Sequence, residues 1–224
     1  MANYKFDDTL SFLPTTRIEM ENRGWDQCDI ILISGDAYID SPYIGVAVVG
    51  RILENEGYRV GIIGQPDVNT DDIKRLGEPA LFWGVSGGSV DSLVANYTAT
   101  KKFRKSDDYT PGGINNMRPD RATLVYTNLI RKHFKNTVPI VLGGIEASLR
   151  RVTHYDYWTN KLRKPILFDS KADYLIYGMG EGAIIELPKK LQNNEPVHDI
   201  KGLCYISKVP RDDYIILPSH QTCL

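Results

Sequence analysis

Glycines and short polar residues follow several apolar runs of this chain, and their types and spacing fit a ligand-binding crevice. Glycine lets a backbone approach a ligand closely, and the amides at the start of a following helix can hold an anion. Carboxylate and hydroxyl groups between the glycines would add hydrogen bonds. The candidate binding residues are Gly35, Asp36, Asp40, Gly64, Ser86, Gly87, Gly88, Gly143 and Gly144.

One of these glycine-rich stretches also permits a different chemistry. Residues 84–88 read GVSGG, which fits the GxSxG pattern of a hydrolase nucleophile elbow directly after a strand. In that interpretation Ser86 is the nucleophile, and one of the four histidines supplies a base. The pattern is short and glycine is abundant here, so a serine hydrolase is the remote alternative.

Residues 150–158, RRVTHYDYW, form the densest polar and aromatic cluster of the chain. Arg150 or Arg151 could clamp an anionic group, with His154 and Asp156 as a proton-transfer pair. Alternatively, the cluster ties a helix end to its neighbours through side-chain hydrogen bonds. The structural interpretation is favoured, because an Asp near a His is common.

Apolar periodicity predicts the elements that position these residues. An apolar run at residues 30–33 is followed by a helix whose stripe carries Ile44, Val48 and Ile52, with Val49 and Leu53 beside them. A second apolar run follows at residues 58–63. These lengths predict a parallel strand–helix–strand unit. Further strands are predicted at residues 80–85, 139–142, 172–177, 203–206 and 214–217, the last two as a possible hairpin.

This alternation predicts an α/β fold with a doubly wound, mostly parallel sheet. Ligands of such sheets lie outside the carboxyl ends of the strands, where the candidate glycines and carboxylates are expected. The predicted organisation is an N-terminal extension over residues 1–28, a Rossmann-like α/β domain over residues 29–207 and a tail over residues 208–224.

Three local features complete this interpretation. Thr16 and Glu19 form a predicted capping box at the start of a short helix. Residues 97–121 are polar and rich in turn residues, which predicts a segment that is mobile or that docks a further domain. Asp120, at the end of that segment, is expected to cap the next helix.

Charge and cysteine content exclude several classes of protein. The 224 residues carry 27 basic and 28 acidic side chains, a formal net charge of -1, so neither a nucleic-acid nor a polybasic membrane partner is indicated. Cys28, Cys204 and Cys223 lack the spacing of a disulfide framework or a zinc site. No apolar run approaches the ~20 residues of a membrane span, and a cytoplasmic protein is expected.

Several stretches together resemble one family. They are FLPTT at residues 12–16, GDAYID at 35–40, GYRVGII at 57–63, GGIEASLRR at 143–151 and residues 172–181. In order and spacing they resemble the N-terminal region of the YgiQ-type radical S-adenosylmethionine (SAM) proteins. The resemblance implies a domain that precedes a radical SAM barrel, in which a CxxxCxxC motif binds a 4Fe-4S cluster.

This chain has no CxxxCxxC motif, so the resemblance implies no cofactor site for the cluster here and no intrinsic cleavage of SAM. The expected function is an accessory domain that docks or caps its own C-terminal radical SAM domain, which is absent from this sequence. No catalytic or metal-ligating residue is predicted within the chain.

The resemblance also leaves a cofactor open. Related front domains resemble cobalamin-binding modules, which carry DxHxxG with a cobalt-ligating His. Residues 40–45, DSPYIG, keep the Asp and the Gly but place Pro42 at the His position. Two hypotheses for the crevice therefore remain. It docks the radical SAM barrel without a cofactor, or it binds cobalamin or another nucleotide-bearing ligand.

Overall fold

The computed structural model describes residues 12–209, 211 and 214–224. The strands lie in two sheets, one of six strands and one of two. The six-stranded sheet contains β1 (Ile30–Ser34), β2 (Val60–Gly64), β3 (Phe82–Ser86), β4 (Ile140–Gly143), β7 (Tyr174–Ile176) and β8 (Leu203–Tyr205). A separate antiparallel hairpin consists of β5 (His154–Asp156) and β6 (Lys161–Arg163).

The strand order of the main sheet is β2-β1-β3-β4-β7-β8. The first five strands pair in parallel, and only β8 runs antiparallel, against β7. The predicted α/β fold with a mostly parallel sheet is therefore confirmed. The predicted hairpin between residues 203–206 and 214–217 is wrong, because β8 pairs with β7 and residues 214–217 form no strand.

Helices cover both faces of this sheet. They are α1 (Arg17–Asn22), α2 (Gly45–Asn55), α3 (Ser92–Asn96), α4 (Ala122–His133), α5 (Gly144–Leu149), α6 (Ile166–Ser170), α7 (Glu181–Gln192) and α8 (His220–Cys223). On one face, Leu53 of α2 and Leu187 of α7 pack in a buried core with Leu32, Val141 and other strand residues. On the opposite face, α4 packs over the alternate side chains of the same strands.

β1 and β3 are neighbours in the sheet, but the long helices that follow them, α2 and α4, pack on opposite faces. The chain leaves β1 toward α2 on one face and leaves β3 toward α4 on the other. Loops that diverge in this way create a crevice at the carboxyl ends of the two strands, which is where open α/β sheets bind ligands.

Local sequence explains some helix ends and misleads at others. Thr16 and Glu19 form the predicted capping box of α1. Asp120 does not cap α4: Arg121 occupies that position with φ 55°, and Asp120 instead accepts hydrogen bonds from Asn96 and Tyr97.

The buried face of α2 also differs from the predicted stripe. Val46, Ala47, Gly50 and Leu53 are its buried residues, whereas the predicted stripe at Ile44, Val48 and Ile52 is only half-buried. Gly50 explains the shift, since an added Cβ there would lie 2.5 Å from Cδ1 of Leu13. The bare backbone admits that leucine against the helix.

Candidate functional site

A cavity of about 460 Å³ opens at the carboxyl ends of β1, β3 and β4, between α2 and α7. Gly84, in the middle of β3, is one of its lining residues. The missing side chain of Gly84 leaves room for Leu32, whose Cδ2 lies only 2.6 Å from where a Cβ of Gly84 would stand. The deeper walls are apolar and include Leu32, Val49, Val141, Ile176 and Ile184.

The mouth of this cavity is formed by the loops that start α2, α5 and α7. Pro42, Tyr43, Ile145 and Met179 lie there. Two carboxylates, those of Asp36 and Glu181, are the charged groups among the lining residues, and no Lys, Arg or His belongs to the described lining. Asp36 is almost fully buried, so the exposed carboxylate of Glu181 is the acidic group at the entrance of a site whose inner walls are apolar.

The structure brings five of the nine predicted binding residues to the cavity. Asp36, Ser86, Gly88, Gly143 and Gly144 line it, as does Ser89. The other four, Gly35, Asp40, Gly64 and Gly87, do not line it.

The four residues outside the lining serve the packing of the protein itself. Asp40 forms an ion pair with Arg51 of α2. A Cβ on Gly35 would stand 2.1 Å from the carbonyl oxygen of Gly87, and one on Gly64 would stand 2.9 Å from the amide of Tyr38. These glycines allow loops to pass one another closely, a need that the sequence cannot separate from close approach to a ligand.

A buried ion network fixes the loop after β1. The Arg118 triad consists of Asp36, Asp107 and Arg118, whose side chains are all almost fully buried. Arg118 Nη2 lies 2.7 Å from Asp36 Oδ1 and 3.2 Å from Asp107 Oδ2, and its Nε donates to the carbonyl of Gly35. Asp36 also accepts a 2.6 Å hydrogen bond from the amide of Ser89, which joins the β1 and β3 loops.

The Arg118 triad changes the interpretation of residues 97–121. The sequence predicts a segment that is mobile or docks a further domain, whereas the structure packs it onto its own domain. Asp107, Thr110, Asn115 and Arg118 are buried within it. Sequence reasoning missed Arg118, since its partner Asp36 lies 82 residues away.

Glu146 organises the other side of the site. Its carboxylate is buried and accepts hydrogen bonds from the amide of Ser92 at the start of α3 and from the amide and hydroxyl of Thr123 in the first turn of α4. Gly87 packs directly on it, because an added Cβ would lie 2.7 Å from Oε2. Glu146 thereby ties α3, α4, α5 and the glycine loop into one wall.

The cluster at residues 150–158 is structural in its contacts. Arg150 forms an ion pair with Asp91, and Asp156 accepts hydrogen bonds from Arg121 and Thr159. His154 is hydrogen-bonded through Nδ1 to the carbonyl of Val152. Burial lowers the pKa of His154. These contacts agree with the interpretation in which the cluster ties a helix end to its neighbours.

Asp156 should make stability depend on pH. Burial alone would raise the pKa of Asp156, but the hydrogen bonds from Thr159 and Arg121 outweigh it and hold the pKa at about 2. A carboxyl whose folded pKa is depressed stabilises the fold above its unfolded pKa, near 4, and loses that contribution as the pH falls toward the folded value.

We therefore expect Asp156→Asn to destabilise the protein most at neutral pH. Its difference from wild type should shrink as the pH is lowered from about 4 to about 2. Urea unfolding across this range measures the effect, with Asp108→Asn, at an exposed position, as the matched control. A difference that stays constant with pH would contradict the assignment.

Ser86 is not arranged as a hydrolase nucleophile. Its hydroxyl accepts a 3.1 Å hydrogen bond from the amide of Gly88 and lies against Gly144. No histidine belongs to the described lining of the cavity, and no base is hydrogen-bonded to Ser86 within the described residues. The hydrolase alternative therefore has no geometric support.

The family of the chain follows from its comparison with known proteins. A family model described as "Radical SAM N-terminal" matches residues 12–224. The chain belongs to the radical SAM N-terminal family. The resemblance seen in the sequence is confirmed. Separately, none of the helices in the described part of the chain is long and apolar enough to cross a membrane.

Curated relatives are much longer than this chain. A UPF0313 protein of Fusobacterium nucleatum is 63% identical over 217 residues, which are 96% of this chain and 38% of that protein. A UPF0313 protein of Thermotoga neapolitana is 55% identical over 213 residues, 93% of this chain and 37% of that protein. The chain thus spans less than two fifths of the relatives that it matches.

Solved structures share the fold. Two structures of the radical SAM methyltransferase TsrM from Kitasatospora setae, at 16% and 17% identity, match 80% of this chain with TM-scores of 0.52 and 0.54. They cover 28% and 27% of the TsrM chain. One contains tryptophan and a SAM analogue, and the other contains cobalamin and a 4Fe-4S cluster.

Proposed function

We propose that this chain is the N-terminal accessory module of a longer radical SAM protein. In that protein the carboxyl edge of the main sheet, with the mouth of the cavity, faces the remainder of the molecule. The observation that carries this proposal is the apolar character of the mouth. Among the residues that line the mouth, Tyr43 is 88% exposed, Met179 is 90% exposed and Ile145 is exposed as well. Ile39, in the loop before α2, and Leu149, at the end of α5, are also exposed.

Such clustering has a physical meaning. Single exposed apolar residues are ordinary, but a contiguous group around a concave opening marks a surface that another molecule or domain covers. The length of the relatives supports a domain of the same protein as that cover, since about three fifths of their sequence lies outside the matched region.

A chimera tests the docking proposal. This chain would replace the matching region of the Fusobacterium nucleatum protein, and hydroxyl-radical footprinting would compare the chimera with the isolated chain. Tyr43 and Met179 have reactive side chains and should be protected in the chimera. Phe168, exposed on α6, serves as the control and should react equally in both. Equal reactivity of Tyr43 and Met179 in the two proteins would contradict docking at this edge.

The radical SAM cofactors belong, in this proposal, to the remainder of the longer protein. The described residues contain no group of three or more His, Cys, Asp or Glu that could hold a metal ion. Cys28 is also unsuited to ligation as a thiolate, because burial raises the pKa of its thiol to about 12.

Cobalamin is a second candidate, favoured by an apolar cavity at the carboxyl edge of the sheet. A volume of about 460 Å³ lies within the range of small-molecule sites. Cobalamin is larger than this, so the cavity would enclose one part of the cofactor and leave the rest outside the mouth. Ser86, Gly88, Gly143 and Gly144 would hold the cofactor at the carboxyl edge. Cobalamin supplies a cobalt centre, and Pro42 at the mouth cannot ligate it. The cobalamin-bound TsrM structure, similar in fold, is consistent with this candidate.

Nucleotides fit the same cavity less well. A di- or triphosphate needs cationic side chains or a phosphate-binding loop around its oxygens. The described lining offers no Lys, Arg or His; the carboxylate of Glu181 is exposed at the mouth, and that of Asp36 is already paired with Arg118. The charge of the site therefore favours a ligand without a polyphosphate.

Calorimetric titration separates these ligands. Cob(II)alamin should bind with a dissociation constant in the micromolar range, whereas ATP should give no heat of binding. Gly143→Leu should abolish cobalamin binding by filling the cavity. The backbone tolerates this change, because φ of Gly143 is -152° and a Cβ would meet nothing closer than 3.9 Å.

Gly182→Leu is the matched control for this titration. Gly182 lies in α7, a Cβ there meets nothing within 4 Å, and the residue does not line the cavity. This variant should bind as wild type does. Absence of cobalamin binding to the wild type would remove the second candidate and leave the docking proposal standing.

A further inference from the structure

The last described stretch of the chain contains an exposed apolar segment, the YIIL segment (residues 214–217). Ile215, Ile216 and Leu217 are 91%, 83% and 61% exposed, and Tyr214 is also exposed. The segment forms neither helix nor strand, and its residues pair with no strand of the described sheets. Four consecutive apolar residues facing water are unusual on the surface of a globular protein.

The YIIL segment is held at both ends. On one side, the Tyr214 hydroxyl and Arg211 Nη1 lie 3.4 and 3.1 Å from the carbonyl oxygen of His198. On the other side, His220 Nδ1 lies 3.2 Å from the Thr153 hydroxyl, and Ser219 caps α8. The apolar side chains are therefore presented from a fixed position.

One of these anchors lies in the stretch that follows α5. Thr153 closely follows α5, and α5 contributes Ile145 to the mouth. Leu149 and Val152, between them, are also exposed. Exposed apolar residues therefore also occur along the chain just before the Thr153 anchor.

We infer that the YIIL segment is a docking strand, covered in the longer protein by an apolar surface of the part that lies outside this chain. The inference rests on the proposed function and deepens it by naming a contact beyond the mouth. The length of the relatives supplies the occupant, because 62% of the Fusobacterium nucleatum protein lies outside the match.

A second copy of the chain is a weaker occupant. Stable interfaces between separate proteins bury about 800 Å² on each partner, contributed by roughly 20–30 residues. Four residues cannot supply that area. A surface tethered within the same protein needs less area, because its effective concentration is high.

Hydrogen exchange tests the docking strand. In the isolated chain, the amides of residues 215–217 should exchange at nearly unprotected rates, since they make no backbone hydrogen bonds. In the Fusobacterium nucleatum chimera the same amides should exchange about tenfold or more slowly. Equal rates in both proteins would overturn the inference, and the footprint at Tyr43 and Met179 would still report on the mouth.

A double variant tests whether the side chains cause that protection. Ile215→Ser with Ile216→Ser should abolish it in the chimera while leaving the thermal midpoint of the isolated chain unchanged, because both side chains are exposed there. Ile18→Ser, at an exposed isoleucine of α1, should leave the protection intact. Protection that survives the double variant, or a dimer of the isolated chain that the double variant dissolves, would overturn the inference.

Discussion

Arg118→Met should destabilise the isolated chain by about 3–5 kcal/mol. The substitution leaves Asp36 and Asp107 buried without their cation, and an uncompensated buried charge is among the most costly defects in a folded protein. Methionine retains most of the length of the side chain, so that the loss of charge dominates. Urea unfolding followed by circular dichroism measures the change in the free energy of unfolding.

Two further variants locate the cause of this effect. Adding Asp36→Asn and Asp107→Asn to Arg118→Met should restore much of the lost stability, because the triple variant buries no unpaired charge. Arg17→Met is the control, since Arg17 forms an exposed ion pair with Glu21, and it should cost about 0.5 kcal/mol or less. A small effect of Arg118→Met would show that the triad is not closed in solution.

The parallel strands and the long helices were predictable because their signals are local, whereas the short elements α3, β5, β6 and α6 were not predicted. Each parallel strand is a short apolar run followed by glycine or a polar turn, and each long helix carries an apolar period. The pairing of β8 was not predictable in this way. Residues 203–206 and 214–217 read equally well as strands, and only the free edge of β7 decides that residues 203–205 pair while residues 214–217 do not.

The site was predictable in position but not in its internal contacts. Glycines at strand ends located the crevice, and Ser86, Gly88, Gly143 and Gly144 do line it. Gly35 is needed because the backbone of Gly87 passes close to it, and Gly87 is needed because the side chain of Glu146 packs against it. Both neighbours are distant in sequence. Arg118 lies in a stretch whose composition predicts a mobile or docking segment, so its burial follows only from its carboxylate partners.

Glu146, like Arg118, has buried partners that are distant in sequence, and its substitution should also have a large effect on stability. Glu146→Ala should destabilise the chain by at least about 3 kcal/mol, because the amides of Ser92 and Thr123 and the hydroxyl of Thr123 lose their acceptor in a buried place. Each buried donor left unsatisfied costs about 1–3 kcal/mol. Thermal and urea unfolding measure the loss.

Glu146→Gln distinguishes the hydrogen bonds from simple packing. Glutamine has nearly the same volume, but its side-chain NH₂ group can only donate hydrogen bonds. It would therefore face one of the two backbone amides, of Ser92 or Thr123, that donate to the carboxylate in the wild type. The variant should therefore remain about 2 kcal/mol less stable than wild type, between wild type and the alanine variant. Glu186→Ala, at an exposed position of α7, should change stability by about 0.5 kcal/mol or less. If Glu146→Gln were as stable as wild type, Glu146 would act by filling space, and the wall that it forms with α3, α4 and the glycine loop would not depend on its charge.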